Sequence, residues 1–226
     1  MREIKLEEQK KHFKNHIAKF TDYGNIKILD FKALGTSDYR IRFLFEEDYC
    51  KLHISGDLGE LTATNFNNMR YENFRDFVNN TGYFEEKIDC MSRSAYSYNQ
   101  QKAQKDLIEL IDDCGLREED STDDYLLEDE TIDNFVDNIL SDFDDTGIGR
   151  SGYDIASEHI PDFFEDVNDI GKESTEILDL YMLAFDLATK QLKQLKQHIS
   201  DLERLKESED LKREYPEKFA RWEYDL

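Results

Sequence analysis

The chain has 226 residues and a formal net charge of −23, from 52 acidic and 29 basic side chains. Such a charge repels nucleic acid and anionic lipid, so it favours a partner that offers a basic protein surface. No apolar run approaches the roughly 18 residues of a membrane span, and the first residues lack the apolar core of a signal peptide. We therefore expect a cytoplasmic protein that binds neither nucleic acid nor membranes directly.

Residues 1–115 predict an α+β module. Residues 3–20 have apolar side chains at helical spacing and predict an amphipathic helix. After a turn signal, apolar and polar residues alternate in short runs up to Thr64, which predicts a small antiparallel meander of about four strands. Short helices at residues 71–78 and 100–114 are expected to cover the apolar face of this sheet.

Four segments of this module resemble a set of uncharacterised proteins carried by phages and prophages of low-GC Gram-positive bacteria. The segments are 35–45 (GTSDYRIRFLF), 54–59 (ISGDLG), 82–90 (GYFEEKIDC) and 102–111 (KAQKDLIELI). The likeness covers residues 35 to about 112 and continues weakly into the helix that follows. It implies an origin in the phage accessory genome. It assigns no chemistry and brings no catalytic residues.

Most of the negative charge lies in residues 117–170, which have nineteen acidic and two basic side chains, a net −17. The parts of the chain before and after this segment each carry only −3. Apolar residues interrupt the acid at helical spacing, and this predicts a folded segment with its carboxylates on the outward arc. The residues on the apolar face are Ile132, Phe135, Val136, Ile139, Leu140 and Phe143.

A folded acidic segment predicts a surface for binding a partner protein. If it forms two helices side by side, it presents one net charge per roughly 2.4 Å of length, near the roughly 1.7 Å of duplex DNA. The expected partner is a basic nucleic-acid-binding protein of the host, such as a defence nuclease. The predicted partner-binding residues are Asp123, Asp124, Glu128, Asp129, Glu130, Asp133, Asp137, Asp142, Asp144, Asp145, Tyr153, Asp162, Glu165 and Asp166.

The second predicted region, residues 116–226, is helical and ends in a long helix and an aromatic tail. The helix is expected over residues 173–208, with an apolar heptad seam from 178 to 202. The first half of the seam should be buried in the body of the protein. The second half should pack on one partner helix, either the acidic helix of the same chain or the same helix of a second copy in a homodimer.

The common catalytic motifs are absent from the sequence. It contains no glycine-rich phosphate loop and no nucleophile elbow. His12 and His16 have a spacing that can chelate zinc on a helix, but no third ligand lies near them. We therefore predict no catalytic residue, no metal site and no cofactor.

Two acidic segments of the sequence could still bind a metal ion. Asp142, Asp144 and the Thr146-Gly147 pair match the opening of a calcium loop, although Tyr153 stands where a bidentate glutamate is needed. Asp57, in a glycine-rich turn, is the one isolated carboxylate that could serve a nuclease. A turn aspartate that bonds its own backbone explains it equally well.

The leading hypothesis is a phage-encoded, non-catalytic inhibitor of a host nucleic-acid-directed defence system, of the anti-CRISPR or anti-restriction kind. It would act as an acidic nucleic-acid mimic that occupies a basic groove. The alternatives are a phage assembly or interaction protein that dimerises through the C-terminal helix, a metal-dependent nuclease, and a protein whose acid serves only solubility.

Overall fold

The structure of the protein, a computed structural model, describes residues 7–116 and 129–214. The chain divides into two compact units: unit 1 comprises Met1–Arg93 and Leu178–Leu226, and unit 2 comprises Ser94–Ile177. The predicted α+β class, with an antiparallel meander and a long C-terminal helix, is confirmed. In the described parts of the chain, no helix is long and apolar enough to cross a membrane.

A six-stranded antiparallel sheet forms the body of unit 1, and each strand pairs with the next one along the chain. The residues alternate between a buried apolar face and a polar face, as expected of an antiparallel sheet that is covered on one side. The strands are β1 His16–Asp22, β2 Ile26–Ala33, β3 Ile41–Glu46, β4 Lys51–Gly56, β5 Gly59–Thr64 and β6 Ile88–Met91.

The predicted helix over residues 3–20 is wrong for most of its length. Described residues 7–10 are helical, and a 3-10 turn follows at Lys11–Phe13, but β1 begins at His16. The turn that follows β1 closes a hairpin in which all seven residues of β1 pair with β2. Hairpin pairing therefore overrides a helical pattern with few apolar residues.

Within unit 1, β6 is the other strand that the sequence analysis does not predict. The chain from β5 to β6 forms α1 Arg75–Val78 and α2 Thr81–Glu85. These helices are very short, and aromatic residues within and beside them pack under the sheet. Phe74, Phe77 and Phe84 are all fully buried.

The C-terminal helix α7, Ile177–Glu214, completes the core of unit 1. Phe185 is buried and packs edge-on against Phe74, with ring centroids 4.8 Å apart, and against Phe43 of β3 at 5.5 Å. Gln191 supports the edge strand of the sheet. Its amide accepts a hydrogen bond from the backbone N–H of Ala18 and donates one to the carbonyl of His16, so it covers part of the unpaired edge of β1.

Unit 2 contains the helices α3 Gln100–Asp113, α4 Asp129–Ile139, α5 Arg150–His159 and α6 Phe163–Asp166. Two short strands, β7 Tyr96–Tyr98 and β8 Lys172–Ser174, pair with each other. α3 begins as predicted, since the side chain of Asn99 accepts a hydrogen bond from the N–H of Lys102. Its apolar stripe packs on α4 in the core of unit 2, so the helix that was expected to cover the sheet belongs to the other unit.

The heptad seam of α7 is buried in its first half and exposed in its second. Tyr181, Phe185 and Ala188 are buried, as predicted. Leu195, Ile199 and Leu202 are 57%, 48% and 60% exposed.

We expect Phe185→Ala to lower the free energy of unfolding by about 3–5 kcal/mol, because the change removes the apolar contacts of a buried ring and leaves a cavity in its place. Chemical denaturation of the two proteins measures the difference. Leu195→Ala, on the exposed half of the same helix, is the control and should stay within about 0.5 kcal/mol of the parent. An equal loss in both variants would contradict the described packing of α7.

Candidate acidic interaction surface

Nearly all of the net negative charge of the chain lies in unit 2. Unit 2 has 25 acidic and 5 basic residues in 84 positions, a net −20, whereas unit 1 has 27 acidic and 24 basic residues, a net −3. The predicted acidic segment therefore belongs to one compact unit together with α3. The predicted boundary at residues 115 and 116 differs from this division because α3 packs with the acidic helices.

A continuous apolar core holds the acidic helices in place. It joins the inner faces of α3, α4, α5 and α6 with the 3-10 turn Leu140–Asp142. The apolar positions of α4 that the sequence predicted to be buried are buried, apart from Phe143, which is partly exposed. The buried residues are Ala103, Leu107, Ile111, Ile132, Phe135, Val136, Ile139, Leu140, Ala156, Ile160, Phe163 and Ile170.

Most described carboxylates of unit 2 lie outside this core. Of the predicted partner-binding residues, Asp123, Asp124 and Glu128 lie outside the described residues, as do the side chains of Asp129 and Glu130 at the start of α4. Two exposed carboxylates on the outer face of α5, Asp154 and Glu158, join the set although they were not predicted. We call the following residues the acidic surface: Asp133, Asp137, Asp144, Asp145, Asp154, Glu158, Asp162, Glu165 and Asp166.

Few of these charges can be neutralised by neighbours. Seventeen acidic and four basic side chains of unit 2 are described. Lys102 pairs with Asp106, and Lys172 pairs with Asp169, and neither carboxylate is a member of the acidic surface. Arg150 lies 3.9 Å from Asp154, a long and exposed contact that contributes little. The acidic surface therefore presents a strong negative potential to solvent.

The pKa of the Cys114 thiol, at the end of α3, is raised by its surroundings. Its partial burial raises its pKa, and the carboxylates of Asp166 and Asp113 raise the pKa further. Both effects disfavour the thiolate, because desolvation and nearby negative charge each penalise a second anion.

Asp142 has a structural role and does not belong to the acidic surface. Its carboxylate accepts hydrogen bonds from the N–H groups of Ser151, at 2.8 Å, and Gly152, at 3.1 Å. It therefore caps the first turn of α5 from outside that helix. The same close packing requires glycine at two positions of this segment. A Cβ at Gly149 would lie 2.4 Å from the Asp142 carboxylate, and a Cβ at Gly152 would lie 2.0 Å from the carbonyl of Ile139.

Asp144 belongs to a tight turn that is closed by two backbone hydrogen bonds with Gly147. Its carboxylate accepts hydrogen bonds from the hydroxyl of Thr146, at 2.6 Å, and from the N–H of Thr146, at 2.7 Å. These two bonds, the hydroxyl first, lower the pKa of Asp144. The oxygens that resemble a calcium loop in the sequence thus serve a helix cap and a turn. The described residues contain no cluster of three metal-ligating side chains.

The aromatic residues near the acid differ in their exposure. Tyr153 is half-buried against Phe163, with ring centroids 6.0 Å apart, so a partner could reach only its edge. Phe164 is 59% exposed between Asp162 and Glu165. Its neighbour Phe163 is buried in the core. The sequence pattern does not show which of the two adjacent phenylalanines is buried.

The other residues that suggested chemistry also have structural roles. Asp57 accepts a hydrogen bond at 3.0 Å from the N–H of Tyr39, whose φ is +52°, so it supports the connection that leads into β3. His16 is buried in β1, and the ring of His12 stacks on that of Tyr39. The two histidines thus do not share a helix face.

The polar face of the sheet aligns a carboxylate, an imidazole and a hydroxyl. His53 lies 3.1 Å from a carboxylate oxygen of Glu46 through Nε2 and 3.2 Å from the hydroxyl of Thr62 through Nδ1. The three residues are cross-strand neighbours, so register alone brings them together. These hydrogen bonds between neighbouring strands contribute to the stability of the sheet.

Comparison with protein-family models, with curated proteins and with solved structures gives no match to this chain.

We expect Asp142→Ala to lower the free energy of unfolding by about 1–2 kcal/mol, because two N–H groups at the start of α5 lose their acceptor. Denaturation followed by near-ultraviolet circular dichroism measures the loss. Asp145→Ala removes an exposed carboxylate three residues away and should change stability by less than about 0.5 kcal/mol. A similar loss for both variants would contradict the capping role of Asp142.

Proposed function

We propose that the protein is a phage-encoded, non-catalytic inhibitor of a host nucleic-acid-directed defence system, of the anti-CRISPR or anti-restriction kind. It acts as an acidic mimic of nucleic acid, and the acidic surface of unit 2 occupies the basic groove of a host nuclease. The phage origin follows from the resemblance of residues 35–112 alone. The observation that best supports the inhibitory role is the net −20 of unit 2, whose described helices share their own apolar core.

The acid is held in a fixed arrangement, which favours recognition over mere solubility. Asp133 and Asp137 are one turn apart on α4, and Asp154 and Glu158 are one turn apart on α5. Like charges at this spacing destabilise a helix by about 0.2–0.5 kcal/mol per pair. A protein that needed only solubility could spread its charge over both units. Unit 1, with 142 residues, instead carries a net charge of only −3.

Binding to a basic groove would combine two contributions. Long-range attraction speeds the encounter and excludes partners with acidic surfaces. Short-range affinity requires an apolar or aromatic anchor that becomes desolvated, and Phe164 is the exposed aromatic residue that lies within the acidic surface. The inhibitor needs no catalytic group, because it blocks the groove simply by occupying it.

Neutralising three carboxylates with Asp133→Asn, Asp137→Asn and Glu158→Gln should weaken binding to the target nuclease about tenfold at low salt, because attraction to the basic groove falls. A panel of purified CRISPR effector nucleases and restriction enzymes from a low-GC Gram-positive host is first screened for inhibition. Competition between the protein and labelled nucleic acid for the inhibited enzyme then measures the affinity. The difference between parent and variant should shrink at about 0.5 M salt.

The matched control changes the charge equally in unit 1, with Glu8→Gln, Asp38→Asn and Asp76→Asn, all at exposed positions. These three changes should leave the affinity almost unaltered. Mimicry is wrong if both triple variants weaken binding to the same degree, if the complex survives a wash at about 0.5 M salt, or if the bound nuclease still holds its nucleic acid.

The double variant Asp133→Asn/Asp137→Asn should raise the melting temperature of the protein by about 1–2 °C at low salt, because the repulsion along α4 is removed. Calorimetry at low salt and at about 0.5 M salt measures the gain, which should vanish when the charges are screened. Asp133→Glu/Asp137→Glu keeps the charge and is the control. A lower melting temperature for the neutral variant would show that these carboxylates stabilise the fold.

A further inference from the structure

The polar face of the sheet has a small recess near the end of β2 and the start of β3. It has a volume of about 160 Å³, and its lining comes from β2, β3, β4 and the residue that leads into β3. The lining residues are Asp30, Lys32, Arg40, Arg42 and Ser55. Three of the five are basic and one is acidic, in a chain with a net charge of −23. Unit 1 therefore has a local excess of positive charge at this recess.

Strand pairing places two of these cations side by side. When the register of β2 and β3 is continued by one step, Lys32 lies across from Arg40, and both side chains line the recess. Like charges that face each other across two strands destabilise a sheet. Neither side chain has an ion pair or a hydrogen bond with any residue in the described parts of the chain, and both are exposed. Their charge is therefore available to an anion.

The carboxylate that lines the recess, Asp30, is already balanced by a neighbour. It accepts two hydrogen bonds from the guanidinium of Arg42, at 2.7 and 3.1 Å. On its other side Lys19 of β1 lies opposite it and is exposed. Glu60 of β5 lies two strands beyond Arg42 in the same row. Together with the unpaired lysine and arginine, this part of the polar face has four basic and two acidic side chains, so an anion in the recess would meet a net positive charge.

The loops beside the recess carry two more carboxylates, Asp38 and Asp57, and neither of them lines it. The carboxylate of Asp57 accepts a hydrogen bond of 3.0 Å from the N–H of Tyr39. Neither carboxylate is within ion-pair distance of Arg40. They lower the local potential, because they lie within the screening length of about 10 Å in salt solution, but they leave the donors of the recess unoccupied.

The donors around the recess suit a phosphate group. The ammonium of Lys32, the guanidinium of Arg40 and the hydroxyl of Ser55 can each donate a hydrogen bond from a different side. A phosphate group has enough oxygens to accept from all of them, whereas a carboxylate is satisfied by a single guanidinium. The recess is smaller than the roughly 300–1,000 Å³ of sites that enclose a whole drug-sized ligand. It therefore fits the phosphate group alone.

A second recess, of about 320 Å³, adjoins the first. It shares Lys32 and Arg40 with the first recess, and residues 33–37 form the rest of its lining. Thr36 and Ser37 supply hydroxyls there, and Leu34 is 77% exposed. An organic group attached to a phosphate held between the two cations would have room in this second recess.

We propose that Lys32 and Arg40, together with Ser55, bind the phosphate group of a small molecule, either inorganic phosphate or a phosphomonoester. Nucleic acid is a poor candidate, because the net charge of −23 repels a polyanion far more strongly than a single phosphate group. The site lies on unit 1 and does not depend on the function proposed for unit 2.

Isothermal titration calorimetry of the full-length protein at low salt tests the proposal with inorganic phosphate, adenosine monophosphate, adenosine and acetate. We expect one or both phosphate probes to bind with a Kd on the order of 1 mM or below. Adenosine and acetate should bind at least about tenfold more weakly. Tighter binding of adenosine monophosphate than of inorganic phosphate identifies a phosphomonoester, and the reverse identifies the free ion. Absence of binding of both phosphate probes at about 10 mM, or equal binding of acetate, would overturn the proposal.

A pair of matched variants locates the site. Lys32→Gln/Arg40→Gln should weaken the binding of the phosphate probes at least about tenfold, because both charges that attract the anion are lost. Lys196→Gln/Arg204→Gln removes the same two types of charge from exposed positions of α7, which packs on the other face of the sheet. Its affinity should stay within about twofold of the parent. Unchanged affinity in the first variant, or an equal loss in the second, contradicts the assignment.

Asp30→Asn provides a check that misfolding cannot imitate, because it predicts a gain. It removes the carboxylate that lines the recess and frees the guanidinium of Arg42, so the phosphate probes should bind about threefold more tightly or better. A loss of affinity in this variant would show that the anion does not occupy the recess.

Thermal unfolding gives a second readout of the same site. Inorganic phosphate at about ten times its Kd should raise the Tm of the parent by roughly 2–5 °C, because the ligand binds the folded state. The Tm of Lys32→Gln/Arg40→Gln should not respond. An equal rise in both proteins would indicate a general salt effect and would count against the site.

A labelled single-stranded oligonucleotide distinguishes the remaining source of phosphate. We expect it to bind more weakly than adenosine monophosphate, since the charge of the chain opposes it. If the oligonucleotide binds more tightly and Lys32→Gln/Arg40→Gln abolishes that binding, the ligand is nucleic acid and the assignment to a small molecule is wrong.

Discussion

Apolar contacts among α3, α4, α5 and α6 hold together helices whose outer surfaces repel one another. The acidic surface can exist only because burial of aliphatic and aromatic side chains outweighs this repulsion, since each buried side chain contributes about 1.5–3 kcal/mol. Asp142 adds a second constraint, because its carboxylate ties the start of α5 to the 3-10 turn that follows α4. Rigidity and charge thus depend on the same few contacts.

Strands β2 to β5 and the buried stripe of α3 could be predicted from the sequence because each depends on local periodicity and on turn residues. Non-local contacts decided the rest. β1 carries a helical pattern but becomes a strand through pairing with β2, and no local signal shows that α3 shares its core with α4. For the candidate site, periodicity correctly placed Asp133 and Asp137 outside. It could not show that Asp142 turns inward to cap a helix whose start lies eight residues further along the chain.

The net charge of the chain does not show how differently its two units are charged. Unit 2 contributes nearly all of it, whereas unit 1 combines many acidic and basic residues with a local basic stretch on α7. Charged surfaces select partners by sign over about 10 Å, and apolar anchors then set how long the partner stays.

Strands β7 and β8 determine how unit 2 is connected to the rest of the chain. The N–H of Thr175 donates a hydrogen bond of 2.9 Å to the carbonyl of Ala95, so the first and last residues of unit 2 lie side by side. A segment whose ends meet in this way can be inserted between two neighbouring points of a host fold without changing the path of the host chain. Replacement or loss of unit 2 would thus leave the sheet and the long helix, which bracket it in the sequence, with their own architecture.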